Sequence, residues 1–226
     1  MSAAVAAPGA IRAAWLGRVG YGRGLEIQRA THAGRVAGAI PDTVLLLEHD
    51  HVITRGRRGT EADILATPAV LSQLNVEVVD TDRGGQTTYH GPGQLVGYPI
   101  IDLKAAGLGP LTYVRLLERT LIETLALYGV EGFQVTGQTG VWTAGGKIAA
   151  IGVRVSSGVT MHGFALNVDT NLSYFEHIVP CGVPSAPAAS VRSETGTAPG
   201  LLEVTSEWAA RFGTALGRDL DCVVAT

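Results

Sequence analysis

The stretch VWTAGGKIAAIGVRVSSGVTMHGFALNV, Val141 to Val168, decides the fold. Val141-Trp142 reads as the end of a strand, Thr143 to Gly146 as a tight turn, and Lys147 to Val155 as the next strand. The pair Gly145-Gly146 supplies the positive φ that a two-residue hairpin needs. Ser156-Ser157-Gly158 marks a further turn before Val159 to Val168. Three sequential strands on short turns predict an antiparallel meander, not the strand–helix alternation of a doubly wound sheet.

Outward from the meander, Leu111, Val114, Leu117, Leu121, Leu125 and Tyr128 recur at three- and four-residue spacing and predict one helical face. Leu201, Val204, Trp208, Phe212 and Leu216 repeat that pattern more weakly. The apolar runs Val44 to Glu48, Val76 to Asp80 and Leu95 to Leu103 suit buried strands, the last leading to Lys104 at its end. Pro180 to Pro199 is the richest loop. With no repeat, linker or charge block, the pattern predicts one α+β domain over 15–218, a loose segment 1–14 and a tail 219–226.

Composition narrows the class. Of 226 residues 46% are hydrophobic and 16% charged, which supports a sizeable core and excludes extended disorder. Seventeen basic against 20 acidic residues, a net charge of −3, argue against a nucleic-acid binder. No run approaches the roughly 18 apolar residues of a membrane span. Met1 to Ala10 lacks Lys and Arg, so no secretory n-region is read. Arg12, Arg18 and Arg23 precede the first acid, Glu26, which faintly resembles a transit peptide. Because Trp15 to Tyr21 already reads as fold, a cytoplasmic protein is expected. Cys181 and Cys222 are too few for a disulfide scaffold or a four-cysteine zinc site.

The densest chemical signal is Arg83-Gly-Gly-Gln-Thr-Thr-Tyr-His-Gly-Pro-Gly-Gln94. Four glycines and a proline predict a loop at the end of a sheet, where backbone N–H groups approach a ligand closely. Arg83 and His90 could anchor or polarise a carbonyl or carboxylate, and a purely structural turn cluster is the alternative. Gly145-Gly146-Lys147 is not a phosphate loop, since Val141 and Ile148 replace the first Gly and the Ser/Thr. His49-Asp50-His51 puts two imidazoles near one strand end. No third ligand is visible, so structural or surface roles are expected over a metal.

Fifteen of the cations are Arg; only Lys104 and Lys147 are Lys. A lysine kept in so Arg-rich a chain suits a task needing a removable proton, which guanidinium cannot supply. A chance residue of biased composition explains it equally. Cys181, between Pro180 and Gly182, is presented as an acyl-accepting nucleophile could be. The alternative is a small buried residue, the role that fits Cys222 better.

These residues resemble the lipoyl(octanoyl) transferase family. RGGQTTYHGPGQLVGY, Arg83 to Tyr98, is similar to its signature, and the likeness continues through Gly140-Val-Trp, Gly146 to Gly152, His162 to Asn167 and the Cys181 loop. Leu47-Glu48-His49 and Arg57-Arg58-Gly59 fit earlier landmarks, while Asp50-His51 departs from a residue-then-Pro pattern. The resemblance implies one mixed sheet flanked by helices, as in biotin and lipoate protein ligases. It implies Cys181 as the nucleophile forming an acyl thioester and Lys147 as its activating partner. It implies an acyl pocket of Arg83, Gly84, Gly85, Gln86, Thr87, Thr88, Tyr89 and His90, with Ala150, Ile151 and Gly152, and with Gly163, Phe164 and Ala165. It also implies octanoyl transfer from acyl carrier protein to a lysine of lipoyl domains, such as dehydrogenase E2 subunits and the glycine cleavage H protein, without cofactor, metal or ATP. The carrier is acidic, so Arg55, Arg57 and Arg58 are expected to dock it. An ATP-dependent lipoate or biotin ligase and a non-catalytic carrier-binding protein are the competing readings.

Overall fold

The computed structural model describes residues 9–179 and 187–224. The chain opens with β1 (Ile11–Val19), α1 (Tyr21–Val36), β2 (Thr43–His49) and β3 (Val52–Arg55). It continues through α2 (Pro68–Gln73), β4 (Glu77–Asp80), β5 (Thr87–His90), β6 (Gln94–Ile100) and α3 (Pro110–Ala126). Then come β7 (Phe133–Val135), β8 (Gln138–Thr143), β9 (Gly146–Ser156), β10 (Val159–Asn167), α4 (Val191–Thr195), α5 (Leu201–Ala215) and β11 (Leu220–Val224).

The predicted meander is present as β8, β9 and β10, antiparallel in sequence. Gly146 takes φ +140° at the first turn, and Ser157 and Gly158 take φ +51° and +78° at the second. These strands belong to an eight-stranded sheet of order β11-β1-β2-β6-β10-β9-β8-β7. β1 runs parallel to both of its neighbours, and the other pairings are antiparallel. The expected mixed sheet flanked by helices is present, and β4-β3-β5 form a second, three-stranded sheet.

Other elements depart from the expectation. Thr87–His90, read as loop, is a strand pairing residue for residue with Val52–Arg55. The glycines flank this strand rather than interrupt it. The main sheet also reaches beyond 15–218: β1 starts at Ile11 and pairs with Leu220–Val224. Lys104 lies in a surface turn after β6 instead of ending a strand.

One sheet face packs on α3 and α5. Leu117, Leu121, Leu125, Trp208 and Phe212 are buried there against Phe164 and Leu166, with the Trp208 and Phe164 rings 4.5 Å apart. α1 covers the other face above Leu45, Leu47, Val96 and Ala165. Its buried residues are Tyr21, Gly24 and Gln28, and Ile27 packs beside them, so this contact is close and mixed rather than a continuous apolar stripe. A Cβ on Gly24 would sit 2.8 Å from His49 Cε1, and Gln28 Oε1 accepts the His162 N–H at 2.7 Å. Among the described residues, no helix is long and apolar enough to cross a membrane.

Candidate functional site

A cavity of about 240 Å³ lies on the α1 side of β9 and β10. Its floor is Ala150 and Gly152 on β9 and Gly163 and Ala165 on β10; Ile151 and Phe164 between them also border it, with their side chains in the core on the α3 and α5 side. One wall is Arg83, Gly85, Gln86, Thr87, Thr88 and His90, and Lys147 also lines it. Thirteen of the residues that the resemblance implies for binding or activation therefore converge on one space. Gly84 and Tyr89 do not line it. Gly84 donates its N–H to the Val153 carbonyl at 3.0 Å, whereas the Tyr89 ring stacks on Tyr174, 4.9 Å away, in a separate core.

Small residues let the wall close down on the floor. A Cβ on Gly152 would meet the Gly84 carbonyl oxygen at 2.6 Å. Arg83 braces the wall from behind, its Nη2 donating to the Thr54 carbonyl at 2.6 Å and its Nη1 to the Gly84 carbonyl at 3.1 Å. Glu48 Oε2 accepts the Gly93 N–H at 2.8 Å and fixes the turn that follows His90.

Lys147 opens β9, half-buried, with Nζ 5.3 Å from the centre of the Trp142 ring. Its N–H donates to the Pro187 carbonyl at 2.9 Å and its carbonyl accepts from the Ala189 N–H at 3.0 Å. Asn167 bridges the same segment to the motif, donating to the Ala189 carbonyl at 2.9 Å and accepting from Gln94 Nε2 at 2.9 Å. The chain shortly after Cys181 is thus held beside Lys147. Cys181 itself lies outside the described residues, and so does the side chain of Cys222.

His49 and His51 do not converge. The Val19 carbonyl can only accept, so His49 Nδ1 donates to it at 2.7 Å and Nε2 accepts from Tyr98 Oη at 2.7 Å. His51 instead pairs with Tyr89 Oη at 2.8 Å. Burial pushes His49 down to about 4 and His90 down to about 3, so both imidazoles are neutral at pH 7.

The three-arginine cluster is divided. Arg55 is tied to Asp80 by two hydrogen bonds of 2.6 and 2.9 Å, while Arg57 and Arg58 are exposed. Their N–H groups donate to the carbonyls of Arg83 and Gly85, both at 3.1 Å, which sets this loop on the cavity rim. Arg58, Gly137 and Thr139 are exposed lining residues and form the mouth. Sequence reasoning missed Tyr21, Tyr98 and His162 as wall residues. Tyr98 and His162 stand at the ends of family-like motifs, whereas nothing around Tyr21 marks it.

The lipoyl protein ligase A/B catalytic domain family matches residues 21–213. An octanoyltransferase of Acidobacterium capsulatum is 46% identical over 220 residues, covering 91% of this chain and 89% of its own. One from Chloroflexus aggregans is 51% identical, covering 84% and 87%. Among solved structures, lipoate-protein ligase A bound with ATP aligns at a TM-score of 0.72 with 14% identity, over 97% of this chain and 90% of its own. Biotin protein ligase from Aquifex aeolicus, with biotin and ATP, aligns at 0.56 and 15% identity over 91% and 70%.

Proposed function

We propose a two-step acyl relay for this chain, which belongs to the lipoyl protein ligase A/B catalytic-domain family and transfers octanoyl groups in protein lipoylation. The donor is octanoyl-acyl carrier protein. The acceptors are lysines of lipoyl domains, including dehydrogenase E2 subunits and the glycine cleavage H protein.

In the first step the Cys181 thiol gives its proton to Lys147 Nζ as sulfur attacks the thioester carbonyl. Backbone N–H groups steady the tetrahedral oxyanion, and the carrier sulfur leaves, taking a proton as it becomes a thiol. In the second step the acceptor ε-amine attacks the Cys181 thioester. Lys147 Nζ relays its proton to the departing Cys181 sulfur. A thioester is exchanged for a thioester and then for the more stable amide, so the balance closes without ATP. The observation that supports this reading is the pairing of Lys147 with Pro187 and Ala189, six and eight residues after Cys181 in the chain. Arg57 and Arg58, on the rim, would meet the acidic carrier as its acyl arm enters.

The experiment is intact-mass analysis after mixing with octanoyl-carrier protein alone. One octanoyl group should appear on Cys181 and be removed by hydroxylamine. A Cys181→Ser variant that keeps the full transfer rate would overturn the relay, as would a rate that depends on ATP.

A further inference from the structure

Rings close the inner end of the cavity. Tyr21 from α1, His90 from β5, Tyr98 from β6 and His162 from β10 all line it and all are buried. They join in series through His49 of β2. Tyr21 stacks on His90 with centroids 6.3 Å apart and planes 7° apart, and His90 meets His49 edge-on at 6.0 Å. His49 lies 6.0 Å from Tyr98, which meets His162 edge-on at 6.3 Å. The exposed residues Arg58, Gly137 and Thr139 line the part of the cavity that opens to solvent.

The polar tips of these rings are engaged with the protein. Tyr98 Oη donates to His49 Nε2 at 2.7 Å, His162 Nε2 donates to Asp82 at 2.7 Å, and His90 Nδ1 donates to Gln94 Oε1 at 2.8 Å. Tyr21 Oη donates to Thr81 Oγ1 at 3.2 Å. An apolar group set against the wall would therefore strand none of these tips, a loss that is costly when a buried polar atom goes unpaired. The wall is also fixed, since its four members come from four elements and are joined by His49 of a fifth. His162 is held at φ +56°, a left-handed conformation rare for a residue with a side chain. Its neighbour Gly163 pairs with Gly152 on the cavity floor.

We infer that this ring wall measures the acyl chain. The thioester carbonyl lies by Lys147, the chain runs over Ala150, Ala165 and Gly152, and its terminal methyl stops against Tyr21, His90, Tyr98 and His162. The placement of the carbonyl rests on the acyl-transfer reading above; the wall's role as a stop is separate from it.

Two variants shorten the wall: His162→Gly, which suits the positive φ, and Tyr21→Leu, at the first turn of a helix. Each is compared with the parent chain in two assays. One is kcat/KM for eight-, ten- and twelve-carbon acyl-carrier proteins; the other is thermal stabilisation by free fatty acids of six to fourteen carbons. A methylene in an apolar pocket changes selectivity by about 10–200-fold. The ten-to-eight-carbon ratio should therefore rise by about tenfold or more, and the longest stabilising fatty acid should lengthen. Ratios within about twofold of the parent and an unchanged length limit, in a folded variant, overturn the inference. A shifted fatty-acid limit in a chain that transfers no octanoyl would uphold the wall and defeat the transfer reading. Tyr21→Leu carries the test alone if His162→Gly fails to fold.

Discussion

Gly140 shows how tightly Lys147 is seated. A Cβ there would clash first with the Ala149 carbonyl and would fall 2.7 Å from Lys147 Cε, and the residue holds φ +124°, where side chains are strained. Glu118, fully buried on α3, keeps it in place by accepting the Gly140 N–H at 3.0 Å. Gly140→Ala should push the lysine off its position. We expect kcat to fall by about tenfold or more, since a displacement of about 1 Å in a catalytic group costs on the order of a hundredfold. Steady-state transfer kinetics with a thermal melt check this; an unchanged kcat in the folded variant would show that Lys147 tolerates movement.

Strand β2 and the strands around it carry the buried histidines, and this makes the fold acid-sensitive. In the unfolded chain a histidine takes up its proton near pH 6.5. In the fold His49 waits until about 4 and His90 until about 3, because burial opposes the charge. Below pH 6.5 the unfolded state binds more protons, so stability declines as pH falls, by at most about 1.4 kcal/mol per pH unit for each histidine. His162, also lowered by burial, acts in the same direction. Urea midpoints at pH 7, 5.5 and 4.5 should drop in that order, and a flat series would mean that these imidazoles are not buried neutral. The same elements show what sequence could and could not reveal. The meander was legible because Gly145-Gly146 and Ser157-Gly158 punctuate β-rich runs, and α3 because its apolar residues keep helical spacing. By contrast, α1 was not, since it meets the sheet through Tyr21, Gly24 and Gln28 rather than through an apolar stripe. Thr87–His90 hid among glycines that flank a four-residue strand. The Arg83-to-His90 wall and the Ala150 and Gly163 floor are what the family resemblance implies, because each falls within one contiguous motif. The ring wall is not implied by it, because only folding gathers Tyr21, Tyr98 and His162 from three elements.

Over the whole molecule the net charge is −3, so the proposed acidic carrier would meet a long-range field of its own sign. Under that proposal local cations at the mouth supply the attraction, and Arg55 is already committed to Asp80. Arg57→Glu combined with Arg58→Glu should raise the carrier KM several-fold, by about tenfold at low salt, and flatten its salt dependence. An unchanged KM would move the docking surface elsewhere. Another molecule-wide relation bears on how the chain is made. Ile11 pairs with Leu220, and Trp15 with Val224, so the first strand borders the last. At about 5–20 residues per second a ribosome needs roughly 10–40 s to bridge that separation. During that interval β1 has β2 on one side and an unpaired edge on the other. The newborn protein therefore carries an open strand edge until residues 220–224 have been made, a period when a chaperone or a premature stop would matter most.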